Sequence, residues 1–524
     1  MDSFEKNLLQ SPTGSHWKRI GVRHHHGINL PLFSLKSKES CGIGEYPDLI
    51  PILNWCKEVG FDVLQLLPLN DSTIDISPYS ALSAFALSPL NLGLSTLPYV
   101  HENPELKGMI SELQKLNALQ RISYPAVVKG KEAFLRKYYS LFWSRISSDI
   151  TFKRFIEENR FWLKPYALFW VLKEETHGWG WESWQPIVDL GKTYEENAEK
   201  MNFFLMLQYL CFQQMCAVKE HAEHLGVFLK GDIPILINRE SADVWMNRPL
   251  FHLEFSAGAP PDMYAPKGQN WGFPLYNWEQ MQKTDDLWWK ERLRISGKIY
   301  HIYRLDHIVG FFRIWAIARD YTGTEGHYIP HDHAQWIPQG RRILNMMLEN
   351  SGMLPIGEDL GNVPPEVRVE LKNRGICGTR VMRWERYWHR EGQPFVPYNE
   401  YIPQSMTTVS THDSEGVQLW WRNHPQDAKA FAAFKNWPYE PELSEQRLIE
   451  ILKDSHKTNS LFHINLLSEY LAFIPNMTWE KLEDERINVP GTVSDFNWSY
   501  RFRPTVEEII QNHTLRERVQ YLLS

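Results

Sequence analysis

The chain has 524 residues, of which 43% are hydrophobic and 23% charged, and its formal net charge is −7. This mild charge disfavours both nucleic acid and an anionic membrane as partners, and the length allows two or three domains or one heavily inserted barrel. Five cysteines without a CxxC pair argue against a disulfide framework and against a zinc site. We expect a cytoplasmic protein, because the N-terminus lacks a signal-peptide pattern and no uncharged apolar stretch is long enough to span a bilayer.

The first predicted elements are a helix and a strand. Residues 49–59 carry apolar side chains at helical spacing and are followed by Gly60, and residues 61–69 form a run typical of a buried strand. A helix that leads into a buried strand indicates an α/β fold. The next loop, 77–86, is rich in small polar residues, and Tyr79 is its one tyrosine.

A long helical region follows. From about 95 to 225 the pattern consists of helical segments, including 152–175 and 197–224, with no strand between them. We therefore predict an inserted helical subdomain. Within it, residues 177–186 form a loop rich in glycine and tryptophan, for which a packed hairpin of aromatic side chains is the simplest interpretation.

The strand pattern returns near residue 228, where Gly231-Asp232-Ile233 leads to a polar exit. From about 238 to 285 we predict a lid or loop insertion, of which residues 258–274 are rich in proline and glycine. A long loop inside a compact domain is usually functional or disordered. The tryptophan and tyrosine content of this loop favours a functional lid.

The stretch from His301 to Phe312 combines an apolar run with charge. Arg304 and Asp306 are two residues apart, so a strand would place them on the same side. The preceding residues, 286–293, predict a helix that leads into this strand, as in a parallel barrel. Taken alone, the pattern favours a structural ion pair of Arg304 over a catalytic site.

Two more acidic strand ends, Glu358 and Asp413, favour a catalytic site instead. The firmer predictions are six strands with helices between most of them, near residues 61, 228, 302, 354, 378 and 406. The predicted fold class is therefore α/β, a (β/α)8 TIM barrel that forms a single catalytic domain over 1–524 with inserted, largely helical subdomains. In that fold the catalytic groups lie where strands end.

Three carboxylates at one barrel mouth suggest glycosidic bond chemistry. Asp306 suits the nucleophile of a retaining mechanism, because Arg304 would keep it ionised. Glu358 suits the acid/base, provided that its pocket raises its pKa. Asp413 and His412 could hold sugar hydroxyls as positive charge develops on the ring. The 22 tryptophans also suit a surface that stacks on sugar rings.

Other clusters of polar residues give weaker indications of function. His24-His25-His26 cannot place three ligands around one ion without unusual backbone geometry, and His331-Asp332-His333 lies in a polar stretch. We expect structural or exposed roles for both rather than metal binding. Asp359 points to the strand face opposite Glu358, which favours a structural role. We find no glycine-rich phosphate loop of Walker or Rossmann spacing.

Several independent motifs lie in order between about Gly21 and Arg503. They are Ser77-Pro78-Tyr79, Gly231-Asp232-Ile233-Pro234-Ile235, Ser241-Ala242-Asp243-Val244-Trp245, the 259–278 loop, Arg304-Leu305-Asp306-His307, Gly357-Glu358-Asp359-Leu360-Gly361 and Thr411-His412-Asp413. Together they resemble the 4-alpha-glucanotransferases, also known as amylomaltases or disproportionating enzymes, within the wider α-amylase-like group. This many matches in order make the resemblance specific.

The resemblance implies transfer of an α-1,4-glucan segment to the 4-hydroxyl of another glucan, without metal or organic cofactor. It implies the catalytic residues Asp306, Glu358 and Asp413. It also implies substrate-binding roles for Tyr79, Asp243, Tyr264, Trp271, Arg304, His307 and His412. The loop 259–274 and the aromatic residues 179–184 are candidates for shielding the reaction from water.

Within this family, three segments are most similar to the plant cytosolic disproportionating enzyme: Pro31-Leu32-Phe33-Ser34-Leu35, Gln269-Asn270-Trp271-Gly272-Phe273-Pro274 and Gly310-Phe311-Phe312-Arg313-Ile314-Trp315. That enzyme has starch-binding modules ahead of its barrel and a large insertion between nucleophile and acid/base. Here the barrel is expected to begin within the first few dozen residues, and Asp306 and Glu358 are only 52 residues apart, so we expect both the modules and the insertion to be missing. Glu240 stands where the commoner family pattern has Asp, and Phe273 where many bacterial members have Asn. Both differences are expected to affect subsite preference rather than the catalytic trio.

Two alternatives stay open at this point. One is an α-glucan hydrolase with the same trio, and the other is a catalytically inactive glucan-binding protein. The sequence does not specify the lengths of donor and acceptor, the smallest segment moved, formation of cyclic products or the oligomeric state. Nor does it distinguish glycogen turnover from maltose use.

Overall fold

The computed structural model describes residues 3–261, 266–319 and 321–524. Within these residues the central sheet has eight parallel strands. They are β1 (His25–Leu30), β2 (Val63–Leu66), β3 (Phe228–Ile233), β4 (Ile302–Leu305), β5 (Leu354–Gly357), β6 (Gly378–Val381), β7 (Ser405–Thr408) and β8 (Phe462–Leu466).

The strands form a closed barrel. They neighbour one another in the order β5, β4, β3, β2, β1, β8, β7, β6, and a parallel bridge between Ile356 of β5 and Cys377, just before β6, closes the ring. The register places Asp232 of β3 beside Arg304 of β4. The predicted (β/α)8 barrel is confirmed, and it brings the carboxyl ends of all eight strands to one face.

Helices cover the outside of the barrel. After β1, and apart from the helices of the β2–β3 connection, the described residues form these α-helices: Leu49–Val59, Ala242–Met246, Trp278–Lys283, Leu287–Ser296, Trp336–Glu349, Pro365–Arg374, Val417–Asn423, Pro425–Phe434, Glu445–Ser455, Leu467–Leu471, Val506–Gln511 and His513–Leu523. The connection from β6 to β7, residues 382–404, is described throughout and contains no α-helix. The barrel therefore departs from strict alternation at this connection.

The β2–β3 connection carries the largest helices. They are Pro104–Gln114, Tyr124–Ser148, Ile150–Glu175 and Leu190–Leu225. Asp149 and Asp189 cap two of these helices by accepting backbone N–H groups of Thr151 and Lys192. Gly226 ends the last one with φ 69°, a left-handed conformation that favours glycine.

A smaller antiparallel sheet lies beside the barrel, in the region that follows β3 and β4. Its strands are His327–Ile329, Ile314–Ala318, Phe255–Ala259 and Gln269–Asn270, in that spatial order. A two-stranded ribbon pairs Phe251–His252 with Leu275–Tyr276. These pairings hold both ends of the proline- and glycine-rich loop that the sequence suggested as a lid.

Two short helices precede β1, Ser3–Gln10 and Gly14–Ile20. Trp17 is fully buried and clusters with Ile302 and Leu354, at the amino ends of β4 and β5. Its Nε1 donates to the carbonyl oxygen of Gly375 at 2.9 Å. These helices, which the sequence analysis did not predict, cover the end of the barrel opposite the acidic strand ends.

Candidate active site

The three predicted catalytic carboxylates meet in one cleft at the carboxyl end of the barrel. Asp306 directly follows β4, Glu358 directly follows β5 and Asp413 lies shortly after β7. All three line a cavity of about 1460 Å³. The barrel therefore gathers residues that are more than a hundred positions apart in the sequence.

Arg304, buried inside β4, connects the acidic groups. Its Nη1 lies 2.9 Å from Oδ1 of Asp306, and its Nη2 lies 3.8 Å from Oε2 of Glu358. The same guanidinium donates to both carboxylate oxygens of Asp232, at 2.9 and 2.8 Å. One cation thus fixes three carboxylates relative to one another.

Burial and Arg304 act in opposite directions on Asp306 and Glu358. Burial raises the pKa of Asp306 to about 6, against the lowering effect of Arg304. Burial also raises the pKa of Glu358, opposed by Arg304 and by the backbone N–H groups of Leu360 and His307. Those two N–H groups donate to the Glu358 carboxylate at 2.8 and 3.0 Å. Asp306 is therefore less acidic than Arg304 alone would make it, but still ionised at neutral pH.

Asp413 is held in its ionised form. Its Oδ2 lies 3.2 Å from Nε2 of His412, and its Oδ1 accepts a hydrogen bond from the Asn488 side chain at 2.7 Å. Burial acts to raise the pKa of Asp413, but the interactions with His412 and Asn488 outweigh it, and the pKa falls below its usual range. Asp413 is thus suited to accept hydrogen bonds rather than to give a proton.

Tyr79 links two parts of the site. Its hydroxyl donates to Oδ2 of Asp232 at 2.7 Å and lies 2.8 Å from Nε2 of His412. Its ring stacks on His412, with centroids 5.3 Å apart. On another side of the cleft, the Trp271 ring meets the His307 ring edge-on at 5.0 Å. Both aromatic side chains line the cavity.

The structure brings most of the predicted substrate-binding residues together. The ones that line the cavity are Tyr79, Trp271, Arg304, His307 and His412. Asp243 is not brought to the cleft. It is 5% exposed and accepts hydrogen bonds from the Ala84 N–H at 3.0 Å and the Trp288 Nε1 at 2.9 Å, which indicates a structural role. Tyr264 lies outside the described residues.

Two residues of the site were missing from the predicted set. Asp232 is 1% exposed and bonds to Arg304 and Tyr79; a buried acid near the end of β3 was its only signal in the sequence. Asn488 contacts Asp413 from a loop far along the chain, and no pattern around it indicated this. Asp359, predicted to be structural, is buried and paired with Arg380 at 3.0 Å.

The histidine clusters lie elsewhere. His25 and His26 begin β1, at the barrel end opposite the cleft, and His333 begins a short 3-10 helix. In residues 3–261, 266–319 and 321–524, no group of three or more His, Cys, Asp or Glu side chains is arranged to hold a metal ion.

Comparison with known proteins decides the family. The sequence model described as 4-alpha-glucanotransferase matches residues 30–507. The chain belongs to the 4-alpha-glucanotransferase family. The resemblance stated from the motifs is confirmed, and with it the enzyme class: the family transfers glucan segments, so its substrates are α-glucans.

Two relatives support this assignment. A 4-alpha-glucanotransferase of Chlamydia pneumoniae is 46% identical over 524 residues, covering 99% of this chain and 99% of that protein. The rice 4-alpha-glucanotransferase DPE2 is 38% identical over 318 residues, which are 58% of this chain and 34% of that protein. The match with this plant protein is therefore partial, whereas the chlamydial protein matches from end to end.

Solved structures of amylomaltases share the fold of this 4-alpha-glucanotransferase. Amylomaltase from Streptococcus agalactiae, in complex with acarbose, has a TM-score of 0.80 at 24% identity and covers 96% of this chain and 99% of its own. Amylomaltase from Corynebacterium glutamicum has a TM-score of 0.78 at 22% identity, covering 100% of this chain and 77% of its own. In the described part of the chain, no helix is long and apolar enough to cross a membrane.

Proposed function

We propose that this 4-alpha-glucanotransferase moves α-1,4-linked segments from a maltooligosaccharide or larger α-glucan to the 4-hydroxyl of another glucan, by a retaining double displacement. The observation that carries the proposal is the contact of one buried guanidinium, Arg304, with both Asp306 and Glu358 in the barrel cleft. A retaining mechanism needs a carboxylate nucleophile and an acid/base carboxyl group held close together.

In the first step, a carboxylate oxygen of Asp306 attacks C1 of the donor sugar. The bond between C1 and the glycosidic oxygen breaks, and Glu358 gives its proton to the departing oxygen. A covalent glycosyl ester on Asp306 and a shortened glucan result. The raised pKa of Glu358 supports its role as the proton donor.

In the second step, the 4-hydroxyl of an acceptor glucan attacks C1. Its proton passes to Glu358, which is now a carboxylate, and the ester bond to Asp306 breaks. The ionised Asp413, with His412 beside it, holds sugar hydroxyls of the distorted ring while positive charge develops. Both residues return to their starting protonation states, so neither a net proton nor a cofactor is consumed.

Transfer exceeds hydrolysis only if water is kept from the glycosyl ester while an acceptor is held in line. We propose that the region of about 238–285 acts as a lid that does so. The strand pairs at Phe255–Ala259 and Gln269–Asn270 hold the ends of the proline- and glycine-rich loop within this region, and Trp271 lines the cavity and contacts the His307 ring. The helical region of about 95–225 completes the wall of the cleft.

The test is to incubate the purified protein with maltose and, separately, with maltotriose, with EDTA present, and to resolve the products by chain length. We expect glucose together with a ladder of longer glucans, both absent with the Asp306→Asn variant. Shortened products alone would identify a hydrolase instead. Unaltered sugars with both donors and with a longer maltooligosaccharide would indicate an inactive glucan-binding protein.

A further inference from the structure

A loop of the helical region reaches the rim of the catalytic cleft. It spans Gly178–Trp184, after the helix Ile150–Glu175. Gly178 and Gly180 line the cavity. Trp179, between them, is 68% exposed, which is unusual for a large aromatic side chain in a soluble protein.

The loop is tied to the connection that follows β3. The carboxylate of Glu240 accepts from the Lys173 Nζ at 3.3 Å and from the Trp181 N–H at 3.2 Å. The Trp181 indole donates to the carbonyl oxygen of Arg239 at 2.8 Å. Glu240 and Lys173 also line the cavity, so this attachment is part of the cleft wall.

Gly180 lets the loop lie close to Glu240 without displacing its carboxylate. A Cβ atom at position 180 would lie 2.9 Å from the Glu240 carboxylate, closer than such atoms pack. On the other side of Trp179, Gly178 has φ +84°, a conformation that favours glycine. The carbonyl oxygen of Trp179 accepts a hydrogen bond from the Trp184 indole at 3.1 Å. The backbone that carries Trp179 is thus fixed although its side chain is in solvent.

An exposed indole on a held backbone next to a sugar-binding cleft has a clear chemical use. Its flat apolar face matches the C–H face of a glucose ring, and the backbone that carries it is already held in place before a glucan binds. The residues on both sides of Trp179, Gly178 and Gly180, line the cavity, so the indole lies at the edge of the cleft, where a long glucan would leave it.

We propose that Trp179 is the stacking surface of a remote subsite for the distal glucose units of a long α-1,4-glucan, and that Glu240 is the positioning residue that holds the Gly178–Trp184 loop against the cleft. This inference rests on the proposed transfer between glucans and adds to it a site that selects for chain length. Glucans too short to extend along the rim do not reach the subsite.

The experiment compares KM for maltotriose and for maltoheptaose in the wild type and in Trp179→Ala, Trp179→Phe and Glu240→Gln. We expect Trp179→Ala to raise KM for maltoheptaose on the order of 5- to 10-fold relative to its effect on maltotriose, the size of a lost stacking contact, with kcat little changed. Trp179→Phe, which keeps a flat face, should restore most of the difference. Glu240→Gln should shift KM in the same direction by a smaller factor.

The matched control is Trp388→Ala, which removes another exposed tryptophan, 46% exposed. Its chain neighbours Tyr387 and His389 do not line the cavity, whereas Gly178 and Gly180 beside Trp179 do. It should change neither KM. An equal effect of Trp179→Ala on both donors, or none on either, would overturn the subsite.

A binding measurement tests the Trp179 subsite independently of whether the protein transfers glucans. Calorimetry of maltoheptaose with Glu358→Gln, in the presence and absence of Trp179→Ala, measures the subsite without turnover. Weaker binding of the double variant supports the subsite even if no transfer is detected. Equal binding overturns it even if the wild type produces the full ladder of glucans.

Discussion

Arg304 is the residue that orders the acidic groups of the cleft. It contacts Asp232, Asp306 and Glu358, and its charge partly offsets the cost of burying three carboxylates. The carboxylate of Asp232 in turn accepts a hydrogen bond from the Tyr79 hydroxyl. The orientation of the guanidinium toward Asp306 and Glu358 therefore depends on Asp232, which the proposed chemistry does not use directly.

Asp232→Asn should lower kcat by about 100-fold, because a small displacement of Arg304 misaligns the reacting groups. KM should change less. Asp71→Asn is the matched control: Asp71 is also fully buried near the carboxyl end of a barrel strand, but it bonds to Tyr166 at 2.7 Å and not to Arg304. Steady-state kinetics of both variants at one pH make the comparison, and equal losses of kcat would contradict the positioning role of Asp232.

The pH dependence of kcat/KM follows from Asp306. Burial raises the pKa of this carboxyl to about 6, and the nucleophile must be a carboxylate. Below pH 6 the protonated fraction grows, so activity should fall about tenfold per pH unit, whereas above pH 6 this group no longer limits the rate. The raised pKa of Glu358 delays loss of its proton on the alkaline side. A pH–rate profile with its acid limb near pH 4 would contradict this assignment.

At the scale of elements, a histidine cluster joins β1 to β8 at their amino ends. The His463 ring stacks between those of His24 and His26, at 5.2 and 4.9 Å. Nδ1 of His26 lies 2.9 Å from Nδ1 of His456. Burial lowers the pKa of His26 to about 4 and that of His463 to about 3, and it also lowers the pKa of His456. The cluster is therefore stable only while these rings are neutral.

Acid should destabilise the barrel through this cluster. Below the ordinary histidine pKa of about 6.5, the unfolded chain binds protons that the folded chain does not, so the free energy of unfolding falls as the pH falls. At pH 5 the loss is about 2 kcal/mol for each of His26 and His463. Chemical unfolding of His463→Phe should show a correspondingly smaller fall between pH 7 and 5. The exposed control His389→Gln should keep the wild-type fall, and an unchanged fall in His463→Phe would refute the role of the cluster.

The lid is the second element with a testable role. Shortening the segment between Ala259 and Gln269, with the strand pairing at both ends retained, should raise hydrolysis relative to transfer, because water then reaches the glycosyl ester. The measurement is the ratio of free glucose to transfer products from maltotriose. An unchanged ratio would show that the shield lies elsewhere.

At the scale of the whole molecule, stability depends on the N-terminal helices. Trp17 is fully buried against the amino end of the barrel. Trp17→Ala should lower the free energy of unfolding by about 3–5 kcal/mol, the cost of a large cavity. Because the site lies at the opposite end, kcat at low temperature should be retained. A large loss of kcat in a variant whose unfolding is unchanged would contradict this separation of stability from catalysis.

Much of the architecture followed from local patterns. The apolar segments Val63–Leu66 and Ile302–Leu305 predicted buried parallel strands. The acidic residues that follow such strands predicted which end of the barrel carries the site. Strands β1 and β8 were missed because they contain His25, His26, His463 and Asn465. Polar residues in a strand usually indicate that the strand is not buried. In this barrel, however, the polar side chains of the neighbouring strands β1 and β8 contact each other.

Some residues of the site were predicted from the sequence and others were not. Asp306, Glu358 and Asp413 follow strands, so the barrel alone brings them together. Asp243 belongs to a motif of the family, but the motif does not reveal that its side chain turns inward to Trp288. Asn488 reaches Asp413 through tertiary folding alone, and a single sequence carries no signal for such a contact.

The most direct test of the account is to trap the glycosyl ester on Asp306. In Glu358→Gln, maltotriosyl fluoride should still react, because fluoride leaves without an acid, but the ester should persist, because no base activates the acceptor. Peptide mass spectrometry should then find the maltotriosyl group on the peptide that contains Asp306, and on Asp306 itself. Attachment to another residue, or rapid turnover without any adduct, would contradict the double displacement proposed here.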